Sequence, residues 1–159
     1  MTKKLEDRIE EELLAGKNRK TILDNLRQTE DLRKLLFFLN NISQPARRKK
    51  YQFFNLLLVV LLTFVTFKKL ITAFAFGRFD LFLLISLVVP TINLYLLREI
   101  LRFRRIGYQF LFVLSILSLL HPENHFLPEA TRQIMLIALS GFLYFKIFPK
   151  KEQIAEITI

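Results

Sequence analysis

The chain has 159 residues, of which 52% are hydrophobic, and its formal net charge at pH 7 is +10. It contains no cysteine, which excludes disulfides, thiolate metal sites and cysteine-based catalysis. The charges are clustered between uncharged blocks, and at a mean hydropathy of +0.32 this clustering indicates an integral membrane protein.

Residues 1–44 are predicted to form a cytoplasmic module of three short amphipathic helices. The first carries apolar residues spaced four apart, Leu5, Ile9 and Leu13, and Gly16 predicts its end. Asn18 and Thr29 are the predicted N-caps of the second and third helices. The third has an apolar stripe at Leu32, Leu35, Leu36 and Leu39. Isolated helices this short are marginal in water, so we expect them to pack on one another, on the membrane or on a partner.

Residues 45–149 are predicted to form a transmembrane domain, followed by a short cytoplasmic tail, residues 150–159. Pro45 favours a helix start, and the basic run after it leads into 17 uncharged residues, Tyr51 to Phe67. Three further apolar segments follow. The predicted spans lie at about residues 51–76, 79–97, 106–120 and 133–148. The predicted fold class is all-α: a four-helix transmembrane bundle with a cytoplasmic N-terminal helical module.

Several details of the spans depend on single residues. The first helix either ends at Lys68 and Lys69 or continues while these lysines reach outward, and Gly77 ends it in either case. Pro90 predicts a kink in the second span. Residues 98–105, REILRFRR, are predicted to form a basic loop on the side of the N-terminal module.

The distribution of cations predicts the orientation. Of the 24 Lys and Arg residues, 20 lie in the N-terminal 52 residues, in the 98–105 segment or between residues 146 and 151. The positive-inside rule then places both termini in the cytoplasm. The richness in Lys, Phe, Leu and Ile suits an AT-rich genome, and we expect a bacterial inner membrane.

The basic runs next to the spans are predicted to face anionic lipid or a protein partner at the cytoplasmic surface. The residues are Arg47, Arg48, Lys49, Lys50, Arg102, Arg104 and Arg105. The alternative is that they only anchor the topology. We expect no nucleic acid partner, because single-strand grooves interleave basic and aromatic residues, whereas the 17 Phe residues here lie mostly in the spans.

Few residues suggest chemistry. His121 and His125 are spaced four apart, but Pro122 and Pro128 favour a loop, so we expect no metal site. No glycine-rich phosphate loop or hydrolase motif is present, and we expect neither a cofactor nor an enzymatic activity. The spans hold mild polar residues that pack helices or line a polar path, namely Asn93, Gln109, Ser115 and Ser118.

Two functions remain open. The first is a small polytopic membrane protein that acts by assembly, as a homo-oligomer or as a subunit or adaptor of a membrane complex through its cytoplasmic helices. The second is an oligomeric channel, or a membrane-perturbing effector, gated by the same helices with Pro90 and Asn93 near the moving part. A membrane enzyme that uses His121 and His125 ranks last.

Overall fold

The computed structural model describes residues 4–75, 81–120 and 127–154. Within these ranges the chain forms seven α-helices, one short 3₁₀-helix and no β-strand, so the predicted all-α class is confirmed. The α-helices are α1 (Leu5–Leu14), α2 (Arg19–Leu26), α3 (Leu32–Asn41), α4 (Pro45–Ala75), α5 (Leu81–Leu101), α6 (Arg105–Ser118) and α7 (Glu129–Ile147), and the 3₁₀-helix is Lys150–Glu152.

Helices α1 to α3 pack on one another around a small apolar core. The buried core residues are Ile9, Leu13, Ile22, Leu26, Leu35, Leu39 and Ile42. Gly16 ends α1 as predicted, with a φ of +81° that glycine adopts at little cost. Asn18 precedes α2 as predicted, although its side chain forms no capping hydrogen bond. The three apolar stripes are therefore largely hidden within the module.

The predicted N-cap of α3 is wrong. Asp31 caps this helix, because its Oδ1 accepts hydrogen bonds from the backbone N–H groups of Arg33 at 2.8 Å and Lys34 at 3.2 Å. Thr29 instead belongs to the end of α2, where both its N–H and its hydroxyl donate to the carbonyl oxygen of Leu26. The start of α3 lies two residues later than the sequence suggested.

The helix α4 is the longest and begins at Pro45, as predicted. It continues past Lys68 and Lys69 to Ala75, while Gly77 lies outside the described residues. Helix α5 includes Pro90 without a break.

The predicted 98–105 loop is wrong for most of its length. Helix α5 continues to Leu101 and α6 begins at Arg105, which leaves three residues between them. Leu97 and Ile100 are buried on one face of α5 while Arg98 is exposed on another, so the cations do not interrupt the helix. Phe103 makes the turn with a φ of +53°.

The four long helices contact one another in a ring. Helix α4 packs against α5 and α7, and α6 packs against the same two helices. The buried residues of α7 recur every three or four positions, at Gln133, Leu136, Ser140, Leu143 and Ile147. This narrow seam is typical of helices that pack almost parallel or antiparallel.

Within the described ranges, two of the helices α4 to α7 are long and apolar enough to cross a membrane. These are α4 and the Leu83–Leu101 part of α5. Helix α6 is apolar but shorter. By length and composition the structure therefore supports two of the four predicted spans.

Candidate functional site

The N-terminal module is held on the long helices by a charged junction, which consists of Glu6, Glu10, Arg48, Arg102 and Arg104. Both acids lie on α1, four residues apart and so on one face of the helix. Arg104 contacts both carboxylates, with its Nη2 3.1 Å from Oε2 of Glu10. Arg48 donates to Glu10, and Arg102 lies 3.2 Å from Glu6. Two acids thus meet three arginines from α4 and the α5–α6 connection.

Arg104 is the most buried cation of the junction, with 1% of its side chain exposed. Burial lowers its pKa, while Glu6 and Glu10 oppose this change. Its Nε and Nη1 atoms are buried without a hydrogen-bond partner among the described residues. Its burial therefore depends on the two carboxylates, because an unpaired charge in this position is strongly unfavourable.

The same contacts lower the pKa of Glu10. Burial raises the pKa of this carboxyl, but the hydrogen bond from Arg48 and the charges of Arg48, Arg104 and Arg102 outweigh burial, so the net pKa lies below its ordinary value of 4.5. Glu10 is therefore ionised at neutral pH and supplies a full negative charge to the junction.

The start of α6 needs this negative charge. Arg104 and Arg105 lie at its N-terminus, the positive end of the helix dipole, where cations are disfavoured. Arg104 occupies the N-cap position but makes no side-chain cap. The missing cap comes from α3, because Oδ1 of Asn41 accepts a hydrogen bond from the N–H of Ile106 at 3.0 Å. The module thus supplies both charge and a cap to α6.

The segment after α7 forms a second attachment. Arg47 donates to both carboxylate oxygens of Glu152 and to the carbonyl oxygen of Lys146. Arg19, 3% exposed, donates to the carbonyl oxygens of Glu152 and Ile42 at 2.8 Å each.

The side chain of Asn40 completes this attachment. It pairs with both the N–H and the carbonyl oxygen of Ile154, at 3.0 Å each. The side chain of Ile154 packs on the module core. The described end of the chain is thus joined to its beginning.

A cleft of about 810 Å³ opens beside this second attachment. Its walls come from the α1–α2 turn, the first residues of α4 and residues 151–154. Four cations line it, Lys17, Arg19, Lys20 and Lys151, against a single acid, Glu152, which Arg47 already neutralises. The cleft is therefore basic.

The seven cations singled out from the sequence have different surroundings. Arg47, Arg48, Arg102 and Arg104 all pair with acids of the same chain. Arg105 donates to the hydroxyl of Tyr144 and lies over its ring. Lys49 and Lys50 are exposed, and Nζ of Lys50 lies 5.7 Å from the ring centre of Tyr51. Their contact with lipid or a partner stays a prediction.

The sequence analysis did not predict which acids pair with these cations. Glu10 lies 38 residues from Arg48, and Glu152 lies 105 residues from Arg47. The available signal was the spacing of Glu6 and Glu10 on the helix face next to the apolar stripe. This spacing indicates an ion-paired face of the helix only when it is considered together with the number of arginines near the predicted spans that have no acidic neighbour in sequence.

The polar residues singled out in the predicted spans do not meet at one place. Asn93 and Ser115 are buried, whereas Gln109 is exposed. Ser118 accepts a hydrogen bond from Nε2 of Gln133 at 2.8 Å. Their role in packing or along a polar path stays a prediction.

The best-developed polar contact between the long helices was missed in the sequence. The hydroxyl of Tyr108 donates to Oδ1 of Asn55 at 2.6 Å, and Nδ2 of Asn55 donates to the carbonyl oxygen of Ile100 at 3.2 Å. The contact joins α4, α5 and α6. Neither residue carries a charge or a motif that would mark it in the sequence.

The outer surface of the long helices is apolar. Only 33% of the most apolar window of α4 and 17% of that of α5 are buried, whereas the central helix of a water-soluble protein is mostly buried. Large side chains that are at least half exposed include Phe53, Leu56, Val60, Phe64, Phe67, Leu84, Ile85, Phe110, Leu117, Ile134 and Phe145. The exposed apolar area of this face is far larger than that of the scattered apolar residues on a typical soluble protein.

No reactive constellation accompanies these features. In the part of the chain that the structure describes, no three His, Asp or Glu side chains converge as metal ligands. His121 and His125 lie outside it. No family model, curated protein or solved structure matches the chain.

Proposed function

We propose that the chain is a four-span membrane protein with cytoplasmic termini. Its N-terminal module and tail pack together against one end of the spans. The protein acts by assembly with itself or with another membrane protein. One observation carries this proposal: the outward faces of α4 to α7 are apolar while their inward faces bury polar side chains such as Asn55, Ser115 and Gln133. Lipid favours such a distribution because apolar side chains need no burial in protein there.

The exposed hydroxyls support the same environment. Thr72 and Thr91 each donate to the backbone carbonyl four residues earlier in the helix. These groups therefore need no water, as a bilayer requires.

An aromatic cluster that includes a tyrosine lies near the start of α4. Phe54 and Tyr51 both contact Phe142 of α7, with ring centres 5.4 and 6.1 Å apart. Tyrosine and tryptophan are enriched where spans leave the hydrocarbon core. This cluster follows the basic run at residues 47–50, as expected for a cytoplasmic membrane surface.

The absence of cysteine permits a direct test with a fluorophore on a single introduced cysteine. Val60→Cys places the probe on the exposed face of α4, and Asn25→Cys places it on the exposed side of α2. After reconstitution, a lipid-borne nitroxide should quench the Val60 probe and an aqueous quencher the Asn25 probe. Equal aqueous quenching of both would refute a membrane location for this face.

Sidedness is tested with Leu127→Cys, since Leu127 is 81% exposed at the opposite end of the long helices. In sealed vesicles of one orientation, a membrane-impermeant maleimide added outside should label Asn25→Cys or Leu127→Cys, but not both. Labelling of both without detergent would refute the proposed topology.

Assembly is tested by the mass of the particle in nanodiscs. We expect more than one copy, or a copurifying membrane protein, and a lone monomer would refute the assembly proposal. A channel is the less supported alternative, because Leu58, Leu62 and Leu136 fill the space between the long helices and are at most 2% exposed. A pore would have to lie between copies, and conductance across a bilayer would reveal it.

A further inference from the structure

The contacts that hold the fold together involve only some of the cations in the basic cleft. Arg19 is used by backbone carbonyls, and Lys17 has a loose contact of 3.5 Å with Glu12. Lys20 and Lys151 are exposed and form no ion pair with the residues that the structure describes. Two lysines from distant parts of the chain thus face one cleft.

The position of the cleft relates it to the proposed membrane surface. Pro45 and Ala46 form one wall, and the uncharged run of α4 begins at Tyr51. Six residues of helix correspond to about 9 Å along its axis. The headgroup layer on each side of the hydrocarbon core is about 5 to 8 Å thick, so the cleft opens at the depth of lipid headgroups or just outside it.

The rim of the cleft is amphipathic. Leu14 lines it and is 63% exposed, next to the exposed Lys17 and Lys20. An apolar side chain flanked by lysines is typical of segments that lie at the surface of an anionic bilayer. A volume of about 810 Å³ also exceeds what a single inorganic anion would fill, and it is in the range of sites for small organic molecules.

We propose that this cleft binds the phosphate-bearing headgroup of an anionic phospholipid from the adjacent leaflet, with Lys20 and Lys151 as the contacting cations. The inference rests on the proposed membrane location. It differs from general attraction to an anionic surface, because the cations come from two separate segments and converge on one concave site.

The test measures lipid binding to the full chain in detergent by native mass spectrometry, with phosphatidylglycerol and phosphatidylcholine as probes. The variant is Lys20→Gln with Lys151→Gln. The matched control is Arg33→Gln with Lys34→Gln, which removes the same charge from exposed residues outside the cleft and outside the predicted lipid-facing set. All four side chains are on the surface, so both variants should retain the wild-type melting temperature.

We expect the cleft variant to lose phosphatidylglycerol affinity by about 30-fold, which corresponds to about fivefold for each cation, and the control to lose about threefold at most. Equal losses in the two variants, or no preference for phosphatidylglycerol over phosphatidylcholine in the wild type, would overturn the proposal. Wild-type affinity for inorganic phosphate equal to or greater than that for phosphatidylglycerol would overturn the lipid assignment in favour of a soluble phosphate compound.

The Val60 quenching experiment separates the two proposals. If lipid-borne nitroxide quenches that probe and the cleft variant still binds phosphatidylglycerol normally, only the lipid site fails. If the probe is quenched by water-soluble reagents alone, the membrane location fails with it.

Discussion

Glu10→Gln is the sharpest test of the charged junction, because it removes one negative charge and almost no volume. In the native chain Glu10 accepts a hydrogen bond from Arg48 and contacts Arg104. A hydrogen bond to a charged group contributes about 1.5 to 3 kcal/mol. The side chain is 25% exposed and Arg104 keeps Glu6, so we expect a loss of about 2 kcal/mol rather than the 3 to 5 kcal/mol of a fully broken buried pair.

The loss should appear as local opening of α1, measured by hydrogen exchange of its amides in nanodiscs. A change of about 2 kcal/mol corresponds to about 30-fold faster exchange. Glu6→Gln combined with Glu10→Gln leaves Arg104 without a carboxylate and should cost about 3 to 5 kcal/mol. Asp7→Asn is the matched control, since Asp7 is exposed on the same helix and should change exchange by less than about fivefold.

The pH dependence of the same exchange has a defined sign. The pKa of Glu10 is lower in the folded chain than its ordinary value of 4.5, so its stabilising effect is complete above that value and is lost as the pH falls through the lower, folded value. Wild-type α1 should therefore open below about pH 4.5, and Glu10→Gln should flatten this transition. Equal exchange in Glu10→Gln and Asp7→Asn, with no change in the pH profile, would refute the reasoning.

Three other predictions concern helix ends and close packing. Gly107→Ala should lower the unfolding free energy in detergent by about 1 to 3 kcal/mol, because the added Cβ would lie 2.9 Å from the backbone nitrogen of Ile100; an unchanged stability would contradict this close approach. Asn41→Ala removes the cap on the N–H of Ile106 and should speed amide exchange at the start of α6 by about fivefold. Asp31→Ala should cost about 1 kcal/mol at the start of α3, measured by exchange of that helix, and an effect on α6 alone would argue against it.

The sequence was most informative where a single residue decides the local backbone. Gly16 and Pro45 mark helix boundaries through their own φ preferences, and both predictions are confirmed. Thr29 and Asp31 are both acceptable caps, and which of them is used depends on how far α2 extends. Competition between two adequate local signals cannot be resolved from propensity alone.

The charged junction could not be predicted from local sequence patterns. A basic run beside an apolar segment predicts the membrane surface, and this interpretation considers each arginine only against its neighbours in sequence. Arg48 and Arg104 instead find their acids on a helix that folds back from the start of the chain. Charge pairing across 38 or 94 residues depends on tertiary placement, which short-range spacing does not encode.

The contact between Ile154 and the core of the module has a consequence for biosynthesis. The helices α1 to α3 are translated before the long helices, yet one residue of their packing and both hydrogen bonds of the Asn40 side chain come from a segment that is translated after α7. The module therefore cannot reach its final packing before Ile154 has been translated. That packing is completed only after all four long helices have been synthesised.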